Sequence, residues 1–286
     1  MRRSNDRTAN RSSTMRRLRL VILLALFGTT LFAAKPRLTP YLADSANDTH
    51  TAVIVCPGGS YSWLDMKVEG IGVAEWLQSQ GINAFVLKYH VANVSAYMFG
   101  YRVLGIGNKY PKMLTDVENA LEEVYNLADS LSINRARIGV MGFSAGGHLT
   151  MMSYTHNRTD YKPTFLCPIY PVVTMSDKRY AHQRSRRGAL GVWRQWNQTL
   201  RDSLSIEQHI PDDCPPVFLV NCVDDPIVKY QNSELLDSAL TAHNIPHRYI
   251  QYQTGGHGFG ASETKGTDEC HQWKNEFIQW ISNLNQ

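Results

Sequence analysis

Apolar residues fall into two alternating patterns along this chain. Short runs rich in β-branched and aromatic residues read as strands: AVIVC at 52–56, AFVLKY at 84–89, RIGVMGF at 137–143, FLCPIY at 165–170, PVFLVNC at 216–222 and HRYIQYQ at 247–253. Between them lie stretches with helical spacing, at 70–81, 110–131, 145–155, 232–243 and 271–284. The first stops at Gly81, and the second places Pro111 in its first turn and repeats Leu114, Val117, Leu121 and Val124 on one face. Strand and helix alternating at this pace predict βαβ units and a mostly parallel sheet with helices on both faces. No repeat or low-complexity linker divides residues 35–286, so they are expected to form one domain. Only RLTPYLADS is available for an early strand ahead of Ala52. Residues 174–213 break the rhythm. They are polar, basic and Trp-bearing, and are expected to form a small helical cap insertion over the strand ends.

One junction carries a chemical signature. In IGVMGFSAGGHLT, Ser144 stands between Gly142 and Gly146 where a strand passes into a helix. A serine hydroxyl needs a base and an exposed position to act as a nucleophile. A sharp strand-to-helix turn exposes it, and the turn requires tiny residues two before and two after, giving G-x-S-x-G. The turn also aims the N-terminus of the next helix at the reaction centre, so the free N–H of Ala145 is a candidate oxyanion donor.

The rest of a triad should follow in the order acid, then histidine. VFLVNCVDDP offers an acid just past a strand, and YIQYQTGGHGFG offers a histidine just past the next one. Both lie at carboxyl ends of strands, where open α/β sheets bind ligands. Asp225 and His257 are the expected acid and base, with Asp224 as the rival acid. His148 reads as a helix side chain bonding locally, and His243, His247 and His271 as surface residues. A second oxyanion donor is expected from CPGGSY at 56–61, where two glycines let the backbone approach a ligand closely. Gly59 is the first choice and Gly58 its neighbour.

Charge changes the picture at one end. Residues 1–34 hold seven Arg against Asp6 alone, and the remainder carries a net charge of −2. No basic surface remains to suggest nucleic acid. MRRLRLVILLALFGTTLFAA, residues 15–34, has a basic start, an apolar run and small residues at its end, the pattern of a secretory signal peptide. A secreted or periplasmic protein is expected, membrane-anchored only if this segment stays uncleaved. Of the five cysteines, three lie in apolar runs as small core residues, and the spacings match no zinc pattern. A Cys214–Cys270 disulfide is the one pairing considered.

Taken in order, VIVCPGGSYSWLDMKVEG, AFVLKYHV, RIGVMGFSAGGHL, SRRGALG, VDDPIVKYQNSELL and GGHGFG resemble the α/β-hydrolase esterases of the BD-FAE and acetyl-xylan-esterase-like group. The resemblance spans nearly the whole chain after the leader. It implies an α/β-hydrolase fold and serine hydrolase chemistry on acyl esters, often acetyl groups of xylan-type polysaccharides. It carries over Ser144 as nucleophile, Asp225 as acid, His257 as base, and Gly59 with Ala145 as oxyanion donors. No metal or cofactor is expected, and the partner is a small ester or acylated carbohydrate. Two departures stand out: Pro57 replaces the His that opens the related His-Gly-Gly-Gly loop, and Ser60 stands where a third glycine is common. Tyr61, Trp63, Trp193 and Trp196 could stack on a sugar ring or simply pack the core and cap. The competing readings are a generic short-chain esterase or lipase, a prolyl-oligopeptidase-like peptidase, and a non-catalytic binding module on the same fold.

Overall fold

The computed structural model describes residues 37–92 and 109–284. The leader expected within 1–34 lies outside the described residues. Seven strands form one sheet: β1 (Arg37–Tyr41), β2 (Ala52–Cys56), β3 (Asn83–Lys88), β4 (Ile138–Phe143), β5 (Leu166–Ile169), β6 (Val217–Cys222) and β7 (His247–Tyr252). Their spatial order is β1-β3-β2-β4-β5-β6-β7. Every pair is parallel except β1 with β3. The early strand therefore exists as an antiparallel edge, a position that tolerates Pro40.

The helices follow the expected stretches with informative differences. The first opens with a turn of π-helix, Met66–Ile71, before α1 (Gly72–Ser79). Asp65 caps that turn by accepting the Val68 N–H at 3.1 Å. Next come α2 (Lys112–Leu127), α3 (Ala145–Thr155), α4 (Gln183–Arg194), α5 (Gln198–Ser203) and α6 (Gln231–Ala242). The last stretch divides into α7 (Asp268–His271), capped by Thr267, and α8 (Trp273–Asn283).

Alternate residues of each strand feed opposite faces of the sheet, as the pleat requires. Ile54, Val140, Leu166 and Leu219 pack with Leu114, Val117 and Leu121 of α2, Leu149 of α3 and Leu236 of α6. Val53, Val55, Met141, Phe143 and Phe218 face the other way, toward Val73 and Leu77 of α1 and Trp273 and Phe277 of α8. The strands between these layers are buried on both sides, which is why they read as continuous apolar runs rather than as alternating ones.

Residues 174–213 hold α4, α5 and a short 3-10 turn, Ile206–Gln208, between β5 and β6. Gly188 of α4 rests on the loop after β2: a Cβ there would lie 2.1 Å from the Ser60 carbonyl oxygen. All five cysteines are buried and free, so the Cys214–Cys270 pairing does not form.

Candidate active site

The parallel strands end on one side of the sheet, and the loops leaving β2, β4, β6 and β7 carry the candidate residues there. At the end of β4, Ser144 has φ 55° and ψ −117°. That left-handed conformation is strained for a residue with a side chain, and surrounding structure must hold it. The Ser144 N–H donates to the Ile169 carbonyl at 3.0 Å, and the Ser144 carbonyl accepts from His148 at 3.2 Å and Val172 at 3.1 Å. The flanking glycines have steric reasons. A Cβ on Gly142 would sit 2.2 Å from the Gly146 carbonyl oxygen, and one on Gly146 would sit 2.0 Å from that of Cys56. The spacing is therefore set by helix α3 packing directly on the ends of β4 and β2.

His257 meets both partners. Its Nε2 lies 2.9 Å from Ser144 Oγ and its Nδ1 2.6 Å from Asp225 Oδ2. The carboxylate can only accept at neutral pH, so Nδ1 carries the proton and Nε2 is free to accept from the serine hydroxyl. The other Asp225 oxygen accepts the N–H groups of Ile227 at 2.8 Å and Val228 at 2.9 Å. That turn fixes the acid, whose side chain is 1% exposed. Asp224 points elsewhere: it accepts the N–H groups of Gly255 at 3.2 Å and Gly256 at 2.8 Å, shaping the loop that leads to the histidine.

The loop after β2 has three consecutive residues at positive φ: Gly59 at 132°, Ser60 at 56° and Tyr61 at 57°. Ser60 thus adopts the backbone a glycine would take freely, and the contact with Gly188 helps hold it there. Gly58 departs from the expectation. Its N–H is already donated to Glu69 Oε2 at 2.7 Å, so it is not available to an oxyanion. The N–H groups of Gly59 and Ala145 have no acceptor among the described residues. Gly58 lies against the serine, since a Cβ on it would be 3.0 Å from Ser144 Cβ.

The family model described as BD-FAE matches residues 38–240. The chain belongs to the BD-FAE family. It is 31% identical over 217 residues to an acetylxylan esterase of Xylanibacter ruminicola, covering 75% of this chain and 42% of that protein. It is 29% identical over 236 residues to endo-1,4-beta-xylanase B of Butyrivibrio fibrisolvens, covering 78% and 34%. This BD-FAE chain therefore spans less than half the length of either relative. Among solved structures, an acetyl ester-xyloside bifunctional hydrolase from Caldicellulosiruptor lactoaceticus matches at 31% identity and TM-score 0.74, covering 89% of both chains. A carboxylesterase, Cest-2923 from Lactobacillus plantarum, matches at 18% identity and TM-score 0.70, a likeness of fold alone. The fold is that of the α/β hydrolases.

Several residues of this BD-FAE site escaped sequence reasoning. Glu69 is 3% exposed and bonds Tyr170 as well as Gly58. Burial, with a smaller push from Asp65, raises its carboxyl pKa above the ordinary value, and His257, the Tyr170 hydroxyl and the Gly58 N–H offset only part of that rise. His148 does not bond locally. It is fully buried, with Nδ1 2.7 Å from the Tyr61 hydroxyl and Nε2 2.8 Å from the Leu204 carbonyl. Tyr61 is accordingly a core residue with no face for a sugar. Trp63 is 37% exposed under the Arg184 guanidinium, 5.6 Å from the ring centroid. Trp193, in the last turn of α4, and Trp196, just beyond it, are exposed to solvent. His182, the N-cap of α4, is held down to about 4, chiefly by burial and next by the charges of His257 and Arg184, with Asp225 opposing. Its Nδ1 lies 2.8 Å from Ser185 Oγ in the first turn of α4. Among the described residues, no group of three or more His, Cys, Asp or Glu side chains is placed to hold a metal ion.

Proposed function

We propose that this protein hydrolyses carboxylic esters through Ser144, His257 and Asp225, and that its substrates are acetyl or other short acyl esters on xylan-type carbohydrates. The observation that carries the chemistry is the hydrogen-bonded line from Asp225 through His257 to Ser144, with contacts of 2.6 and 2.9 Å. His257 Nε2 takes the hydroxyl proton as Ser144 Oγ attacks the ester carbonyl. The N–H groups of Gly59 and Ala145 hold the oxyanion. The proton then passes from Nε2 to the leaving alkoxide, and an acyl-enzyme and an alcohol result. Water gives a proton to Nε2 as its oxygen attacks the acyl carbon, and that proton returns to Ser144 Oγ as the carboxylic acid departs. Asp225 keeps the imidazole in the productive tautomer and offsets its positive charge.

The substrate class rests on the family and on relatives named for acetylxylan and xylan. Residues 174–213 act as a small cap in this reading. Gly188 against Ser60 and Arg184 over Trp63 support that role. In this reading Trp63, which packs tightly against Gly59, forms the wall of the acyl side. Overpacking a rigid site costs about 1–3 kcal/mol, which is about 5- to 150-fold in rate when it falls on the transition state. Hydrolysis of p-nitrophenyl acetate, butyrate and octanoate, beside release of acetate from acetylated xylan, tests the reading. Acetyl esters should be cleaved much the fastest, and Trp63→Ala should narrow the gap. A kcat/KM that stays level or rises with chain length would overturn the short-acyl assignment.

A further inference from the structure

Glu69 has no part in the proton transfers above, yet its two oxygens reach both flanks of the nucleophile. Oε2 accepts the Gly58 N–H at 2.7 Å, in the loop that carries the oxyanion donor Gly59. Oε1 accepts the Tyr170 hydroxyl at 2.9 Å. That hydroxyl in turn accepts the Gly260 N–H at 2.9 Å, in the loop of His257. The Tyr170 ring lies with its centroid 4.7 Å from that of the His257 imidazole. The Gly260 carbonyl is itself held by the indole N–H of buried Trp273 at 3.0 Å. Burying a carboxylate is expensive unless its oxygens are hydrogen-bonded. Among the described residues no ion pair joins Glu69 to a Lys or Arg, so its compensation comes from these contacts.

We propose that Glu69 is a positioning residue of the hydrolytic site, one anchor that fixes the oxyanion loop and, through Tyr170, the His257 loop. The proposal rests on the triad reading above. The peptide geometry explains how it works. Glu69 holds the Gly58 N–H, and the Asp65 N–H holds the Gly58 carbonyl at 3.0 Å. Both peptide planes around Gly58 are thereby set. In a planar trans peptide the next N–H points opposite the carbonyl, so the Gly59 donor has its direction fixed. Only glycine fits at the anchor, because a Cβ on Gly58 would lie 2.5 Å from Glu69 Oε2 and 2.8 Å from the Phe143 carbonyl oxygen. The π-helical turn Met66–Ile71 carries the carboxylate inward, an irregularity of the kind often found at functional sites. A carboxylate held only for folding would influence stability and leave the chemical step alone.

The test uses the full chain with p-nitrophenyl acetate and four variants, Glu69→Gln, Glu69→Ala, Tyr170→Phe and Ser144→Ala. Losing one oriented oxyanion donor typically lowers kcat by about 100- to 1000-fold. Glu69→Ala should lower kcat about 100-fold with KM within about twofold, since the interaction lost acts in the transition state. Glu69→Gln still offers an oxygen to Gly58 and should recover part of the loss, to about tenfold below wild type. Tyr170→Phe cuts only the branch to the His257 loop and should lose less than Glu69→Ala. A folded Glu69→Ala protein with kcat within threefold of wild type overturns the proposal, as does a rise in KM with kcat unchanged. Should Glu69→Ala fail to fold, Glu69→Gln and Tyr170→Phe decide: both within twofold of wild type overturns it. Ester hydrolysis by Ser144→Ala would instead overturn the triad reading, whatever Glu69 does.

Discussion

The two flanks of Ser144 do comparable work by different physical means. On the base side, backbone N–H groups of turns hold the two acids. Asp225 is fastened by backbone N–H groups two and three residues ahead, and Asp224 by two glycine N–H groups in the histidine loop. Glycines 255, 256 and 258 there all have positive φ, and Ile227 is exposed. On the oxyanion side the holding groups are buried and distant in sequence. Glu69 reaches Gly58 and, through Tyr170, extends to the His257 loop as well, and His148 joins Tyr61 to Leu204. A turn rich in glycine, closed by its own backbone, can sit near solvent because water satisfies what it leaves open. A loop with three successive left-handed residues needs an interior scaffold, and its polar members must find partners inside the protein.

The largest effect should come from removing the atom that both flanks serve. Ser144→Ala should fold like the wild type and lose ester hydrolysis by about 10⁴-fold or more, because triad members act as a unit. Circular dichroism beside a p-nitrophenyl acetate assay measures both parts. Residual activity near wild type would mean that the two flanks converge on some other group.

Within the base flank, the two adjacent acids should separate widely. Asp225→Asn leaves an amide facing Nδ1 and favours the wrong tautomer, so kcat should fall by about 10³- to 10⁴-fold. Asp224→Asn keeps an acceptor for one of the two glycine N–H groups and should lose less than about tenfold. The reverse ranking, measured on the same ester, would transfer the orienting role to Asp224.

This contrast also explains what could be read from the chain alone. Asp225 is held by its own turn and His257 follows the next strand, so VDDP and GGHGFG at the ends of apolar runs pointed to both. The turn that presents Ser144 was legible because Gly142 and Gly146 act within a few residues of it. The sheet was legible because its central strands are buried on both faces and read as unbroken apolar runs. The edge strand β1 was only marginally so, being short and broken by Pro40. Glu69, by contrast, reads as one acid in an amphipathic stretch, and its partner Tyr170 lies 101 residues away. His148 looked like a helix side chain because Leu204, its acceptor, belongs to the insertion. Gly59 ranks ahead of Gly58 on sequence, but that the Gly58 N–H is taken could not be read, because it depends on a carboxylate from another element. Polar groups that bridge elements leave no periodicity behind.

The smallest effect is thermodynamic and acts on the oxyanion flank. The Leu204 carbonyl can only accept, so His148 carries its proton on Nε2 and accepts the Tyr61 hydroxyl on Nδ1. A second proton would meet that hydroxyl in a fully buried site. Burial is the main reason the imidazole is held down to about 4, from an ordinary 6.5. The folded state then binds fewer protons than the unfolded chain between those values. The stability this linkage represents is present above about pH 6.5 and is lost as the pH falls toward about 4. Between pH 7 and pH 5 the loss from this one group is about 2 kcal/mol. His148→Gln should be less stable than wild type at pH 7, through poorer bonding to Tyr61 and Leu204. That deficit should shrink by about 2 kcal/mol at pH 5, because glutamine has no proton to gain. Urea unfolding of both proteins at the two pH values reads the change directly, and every other titrating group is common to the pair. A deficit that stays constant would mean that His148 does not titrate in this range.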